Sequence, residues 1–178
     1  SVYALNPIYA DMSVLPLLSS DKRAAYYSKE REKLNAQPTV KYAQVYRLKI
    51  TYLRELFDEV GNEVLASEGF KAFCSEQERW LKPYCAFRFL STRLHSNMWD
   101  WKDYPRYDST TWDRLIAEYS DAEREMRFYS YVQYILYTQL SEAHRYANDK
   151  GVALKGDIPI GVAPNGVDVW CDAGQFNL

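Results

Sequence analysis

Apolar side chains recur every three or four residues along most of this chain, and that spacing predicts helices. The first 18 residues are the exception. Pro7 and Pro16 stand there among Ala, Leu, Ile and Tyr without a sustained period, which predicts an extended, partly buried leading segment. Ser19-Ser20-Asp21 then offers capping oxygens to a charged helix from Lys22 to Leu34, with Ala24, Tyr27 and Leu34 on its inner face. Pro38 suits the first position of the next helix, where its missing N–H costs nothing. In that helix Tyr42, Val45, Leu48, Tyr52, Leu56 and Val60 share one face. Glu55, Asp58 and Glu59 lie on its solvated side, where local ion pairs are expected rather than acid–base chemistry.

Gly61 and Gly69 punctuate the pattern. Phe70, Phe73, Gln77, Trp80 and Leu81 resume the helical period, and Pro83 is expected to open a new segment carrying Phe87, Leu90 and Leu94. His95 follows as a helix-end cap. Residues 96–111 form a loop rich in Trp and Tyr (Trp99, Trp101, Tyr104, Tyr107), expected to cover the helices beneath it. Thr110 or Thr111 caps a short helix through Trp112, Leu115, Ile116 and Tyr119. From Asp121 to about Asp149 the stripe Tyr129, Val132, Leu136, Leu140, Ala143 and Ala147 predicts a long helix, with His144 as an interior side residue. Gly151 stops it. The apolar run that follows, halted by Gly156-Asp157 and Pro159, predicts a short buried strand that delivers Asp157 to the start of a loop. Helix, glycine and strand together make the αβ unit repeated in parallel α/β folds.

Composition narrows the function classes. A net charge of -2 over 178 residues leaves no footprint for nucleic acid or an anionic membrane. No apolar run reaches the roughly 18 residues that span a bilayer, and no leader pattern is present, so a cytoplasmic protein is expected. The chain starts at Ser1 rather than at a methionine, and both ends are expected to be cut from something longer. Cys74, Cys85 and Cys171 are irregularly spaced, which argues for reduced thiols rather than a disulfide framework or a zinc site. Aromatic residues reach 16%, chiefly Tyr, and packing between helices is the expected use.

Common catalytic motifs are absent. Gly156 and Gly161 lack the Gly-Lys-Ser/Thr ending of a phosphate loop, and there is no GxSxG elbow and no HExxH. Asp157 is the leading candidate because the carboxyl ends of parallel strands face the active site. Spacing alone leaves open whether it meets a ligand or only the amides of its own loop.

The block Gly151-Val-Ala-Leu-Lys-Gly-Asp-Ile-Pro-Ile-Gly-Val162, with Val167-Asp168-Val169-Trp170 and Phe176 behind it, closely resembles the 4-α-glucanotransferases. These are the amylomaltases and disproportionating enzymes of glycoside hydrolase family seventy-seven. Ser1-Val-Tyr-Ala-Leu-Asn-Pro-Ile-Tyr9, the Phe70 to Leu90 helical stretch, Gln133-Tyr134 and Gln139-Leu140 extend the resemblance over nearly the whole chain. Asn165-Gly166-Val167 departs from the family's serine-containing wording, and Cys171-Asp172-Ala173 replaces a proline-containing turn.

The resemblance implies a mainly α chain, with a helical insertion subdomain and a short β segment, forming part of a (β/α)8 TIM barrel. It implies three parts: residues 1–18 after a barrel strand, 19–120 as the insertion, and 121–178 as a barrel helix, the third barrel strand and its loop. The implied activity moves α-1,4-glucan or glucose from maltooligosaccharide donors to glucan acceptors, with retention and without cofactor or metal. The family's reacting carboxylates come from later strands, so no catalytic residue is expected here. Asp157, Tyr3 and Trp170 are the implied substrate-binding residues, and an α-glucan or maltooligosaccharide is the implied partner. The chain alone is expected to be inactive and to self-associate.

Overall fold

The computed structural model describes residues 2–157 and 161–177. Among them the regular elements are all helical: α1 (Asp21–Asn35), α2 (Tyr42–Ala66), α3 (Glu68–Glu76), α4 (Glu78–Leu94), α5 (Thr111–Glu118), α6 (Ala122–Asp149) and α7 (Val167–Cys171). Three 3-10 turns, Pro7–Tyr9, Met98–Asp100 and Ala173–Gln175, complete the set.

This corrects the expected fold. The β segment after Gly151 is not formed, and with no strand among the described residues the chain is not part of a (β/α)8 TIM barrel. Gly151 does end α6, at a φ of 73, but residues 152–157 then run irregular and exposed, with Val152 at 53% and Leu154 at 51%. Ile158, Pro159 and Ile160 lie outside the described residues. The physical reason is that a strand is a pairwise object. Its N–H and C=O groups need a neighbouring extended segment, and three apolar residues in a row do not supply one.

The chain forms two compact units. One comprises residues 5–71 and 131–151. Here α2 is the central element: α1 lies along it, and the Pro7–Tyr9 turn is seated on it. Leu18, Tyr27, Tyr52 and Leu56 form a buried cluster, flanked by Met12, Leu15, Leu48 and Val60. Burying side chains of this kind stabilises by roughly 1.5–3 kcal/mol each. Tyr27 and Tyr52 meet edge to face, with centroids 4.9 Å apart at 83°. Glu55, on the charged face of α2, takes Arg23 and the Tyr27 hydroxyl, and Glu59 takes Ser19.

Side chains of α2 and α6 fasten the leading segment. Lys49 Nζ donates to the carbonyls of Ile8 (2.6 Å) and Ala10 (2.7 Å). Gln133 pairs with both backbone groups of Leu5: its Oε1 accepts from N–H at 2.8 Å and its Nε2 donates to C=O at 2.9 Å. Gln139 repeats this with Asp11 at the same two distances. Glycines fit where rings approach. A Cβ on Gly61 would lie 2.5 Å from the Phe57 ring, and one on Gly69 would lie 2.6 Å from the Tyr134 hydroxyl. Gly61 therefore admits a ring inside α2 and does not break the helix.

The other unit comprises residues 1–4, 72–130 and 152–178. In it α4 packs against α5 and α7. Pro83 lies inside α4 and is buried, contrary to its expected place at a segment start. Sitting sixth in the helix, it forfeits about one backbone hydrogen bond. The break falls earlier, at Gln77, which separates α3 from α4 with φ -100 and ψ 6. His95 ends α4 through its left-handed backbone, at φ 49.

Candidate functional site

The three residues expected to meet substrate all belong to the second unit, in different settings. Tyr3 is 66% exposed. Its ring lies over Trp80 of α4, with centroids 6.3 Å apart and planes 25° apart, and Trp80 in turn meets Tyr84 at 6.2 Å. The indole N–H of Trp80 donates to Gln77 Oε1 at 2.8 Å, fixing the ring beneath Tyr3. One residue away, the Val2 N–H donates to Asp168 Oδ1 at 3.3 Å, which ties the start of the chain to α7.

Trp170, two residues further along α7, is 1% exposed. Phe87 (5.7 Å), Trp101 (5.7 Å) and Tyr107 (5.4 Å) surround its ring, and its indole N–H donates to the Tyr104 carbonyl at 2.9 Å. Burial pushes the Tyr107 phenol up to about 12, so this cluster stays neutral at physiological pH. Trp170 thus anchors α7 and the loop 101–107. Asp157 is exposed in the irregular stretch after α6 and is not drawn into that arrangement.

The aromatic loop covers the helices, as its pattern predicts. Trp101 and Tyr104 are 3% and 2% exposed, and Trp99 alone among its tryptophans is open, at 56%. His144 is exposed on α6 rather than interior, and Leu140 is 51% exposed because the apolar stripe of α6 surfaces after Leu136.

Two features escaped the sequence reading. One is the pair of glutamine clamps; its only signal is a glutamine inside an apolar stripe, Gln133, which is 1% exposed. The other is an open cavity of about 570 Å³ in the first unit, between α1, α2 and residues 9–17. It leaves no periodic signal, because its lining comes from three separate stretches of the chain.

The sequence model of the 4-alpha-glucanotransferase family matches residues 1–178. The chain belongs to this family. Within the family, the rice (Oryza sativa subsp. japonica) 4-alpha-glucanotransferase DPE2 is 38% identical over 182 residues, covering 100% of this chain and 19% of that protein. The 4-alpha-glucanotransferase of Chlamydia caviae is 33% identical over 174 residues, covering 96% of the chain and 32% of the relative. That of Chlamydia pneumoniae is 31% identical over 180 residues, covering 99% and 33%. The chain therefore spans between a fifth and a third of the length of these 4-alpha-glucanotransferases. Among the described residues no helix is long and apolar enough to cross a membrane.

Proposed function

We propose that this chain is part of an enzyme that moves glucose or α-1,4-glucan segments from maltose or maltooligosaccharide donors to glucan acceptors by double displacement. In such a reaction one carboxylate forms a glycosyl-enzyme intermediate, and a second carboxyl protonates the leaving oxygen and then activates the acceptor hydroxyl. The observation that carries this reading is the family match, which runs from one end of the chain to the other. The reacting carboxylates are proposed to come from outside these 178 residues, in a cytoplasmic protein of which residues 19–120 are a helical insertion.

Asp157 and Tyr3 are proposed to border the bound glucan. Both are exposed, and the Tyr3 ring is backed on one face by Trp80. Trp170 acts on the substrate only by holding α7 in place, since its ring is enclosed. Exposed apolar residues such as Val152 and Leu154 support self-association of the isolated chain, to be read by light scattering.

The test is a chimera in which this chain replaces the aligned segment of the Chlamydia caviae relative, assayed for glucose release from maltotriose. The chimera is expected to disproportionate and the chain alone to release nothing. Asp157→Asn in the chimera is expected to lower kcat/KM about tenfold. Release by the isolated chain, or a folded chimera with no activity, would refute the reading.

A further inference from the structure

Asn165-Gly166-Val167, the stretch that departs from the family's serine-containing wording, holds the sole asparagine–glycine pair in the 178 residues. Ala163, Pro164, Asn165 and Gly166 make a tight turn closed by one hydrogen bond, from the Gly166 N–H to the Ala163 carbonyl at 2.9 Å. Pro164 suits the second position of such a turn. Asn165 takes the third with a negative φ, since His95 alone among the described non-glycine residues has a positive one. The Asn165 side chain is exposed, and among the described residues its carboxamide takes part in no hydrogen bond. A Cβ on Gly166 would lie 3.0 Å from the Ala163 carbonyl oxygen. The turn therefore favours glycine, which leaves the backbone nitrogen next to Asn165 unshielded.

Asparagines elsewhere in the helices and turns are held. Asn62 and Asn148 lie inside α2 and α6, where the following N–H is bonded along the helix. Behind Asn35, the Ala36 N–H donates to the Glu32 carbonyl at 3.0 Å. Asn6 and Asn97 spend their side-chain oxygens on the N–H groups of Ile8 and Trp99.

We infer that Asn165 is a self-modification site, converted without an enzyme to aspartate and isoaspartate. When the turn opens, the Gly166 nitrogen attacks Cγ of Asn165. The N–Cγ bond forms, the Cγ–Nδ2 bond breaks, and the amide nitrogen leaves as ammonia, carrying the proton that the Gly166 nitrogen gives up. Water then opens the cyclic imide. Addition at Cγ restores the ordinary main chain as aspartate; addition at the main-chain carbonyl leaves the chain running through Cγ as isoaspartate. No oxidant or reductant is needed. Isoaspartate puts an extra carbon into the main chain directly ahead of α7. Val167, Val169 and Trp170 are buried and fix that helix, so the added length falls on the turn and breaks the bond between Gly166 and Ala163.

The full chain is aged in mildly alkaline buffer, with its helicity followed by circular dichroism, and its peptides are then read by mass spectrometry. Released ammonia and methyl transfer by a purified isoaspartyl carboxyl methyltransferase give two independent counts. Conversion is expected at Asn165 ahead of every other asparagine, at a rate that climbs with hydroxide. Asn165→Ser exchanges an exposed side chain, so it should abolish methyl acceptance at an unchanged unfolding midpoint. A synthetic peptide of residues 161–170 sets the rate for the unrestrained sequence. A folded chain that keeps Asn165 intact while that peptide converts would overturn the inference. So would earlier conversion of another asparagine, or methyl acceptance that survives in Asn165→Ser. None of these measurements involves glucan transfer, so this inference and the transferase reading stand or fall separately.

Discussion

Replacing Gln133 tests how the leading segment is held. The carboxamide satisfies both backbone groups of Leu5, at 2.8 and 2.9 Å, from a position 1% exposed. Gln133→Leu keeps most of the volume and removes both bonds. Each is worth about 1 kcal/mol net, and Leu5 is only half-buried, so water recovers part of the loss. The expected cost is about 2 kcal/mol, or a fall in Tm of roughly 4–8 °C for a chain of this size. Gln133→Glu is the sharper variant. It keeps an acceptor for the Leu5 N–H but turns a carboxylate oxygen toward the Leu5 carbonyl, at a cost of about 3 kcal/mol or more at neutral pH. Its folded pKa must then rise above the unfolded value of about 4.3. The penalty is full above the folded pKa and shrinks as pH falls through it, because the protonated acid donates where the amide did. Urea midpoints of wild type and variant at pH 7 and pH 5, with unchanged m-values, measure this. A Gln133→Glu penalty that is the same at both pH values would refute the clamp as described. So would Gln139→Ala costing as much as Gln133→Leu, since the second clamp is more exposed and is expected to contribute only about 0.5–1 kcal/mol.

Three further outcomes follow from particular contacts. Gly61→Ala gains about 1 kcal/mol of helix propensity but forces the Phe57 ring aside, and the overpacking cost of about 1–3 kcal/mol should leave a net loss in urea unfolding. The Arg23 guanidinium holds the Glu55 carboxyl below the usual glutamate range. Its stabilisation is therefore complete above about pH 4.3 and is lost as pH falls further; Glu55→Gln should flatten the acid limb of a stability–pH profile there. Burial pushes the Cys85 thiol up to about 12, against Ser130 at 3.2 Å. In a thiol-exchange assay at pH 8, exposed Cys171 should react first and Cys85 only on unfolding.

What the sequence made legible was local. The stripes of α2 and α6 follow from spacing, because helical faces repeat every 3.6 residues wherever one side is buried. The stripe of α6 nonetheless overstates burial. Leu140 and Ala143 continue the period past the point where anything covers them, and a period carries no information about partners. The run after Gly151 misled for the same reason: Val152-Ala153-Leu154 has the composition of a strand, while strand formation is decided by a neighbour that local sequence does not reveal. Pro83 was misplaced because a proline near a helix start costs about one hydrogen bond, which buried packing offsets. Of the candidate site, Tyr3 was legible only through the family resemblance, in a segment expected to be partly buried. Its support by Trp80, 77 positions along the chain, was not, and neither was the enclosure of Trp170.

The glutamine clamps join residues 128 positions apart, and each compact unit is assembled from separated stretches of chain. On a ribosome, residues 5–71 would emerge long before Gln133 and Gln139 exist to hold residues 5 and 11. Until α6 is made, the leading segment lacks its two glutamine clamps, although Lys49 of α2 is already present to take the Ile8 and Ala10 carbonyls. Closing a loop of that length is entropically slow, so completion of this unit is set by synthesis of its last helix. The same layout bears on proteolysis: a single nick between Lys71 and Tyr131 would leave two pieces that still meet at both glutamines.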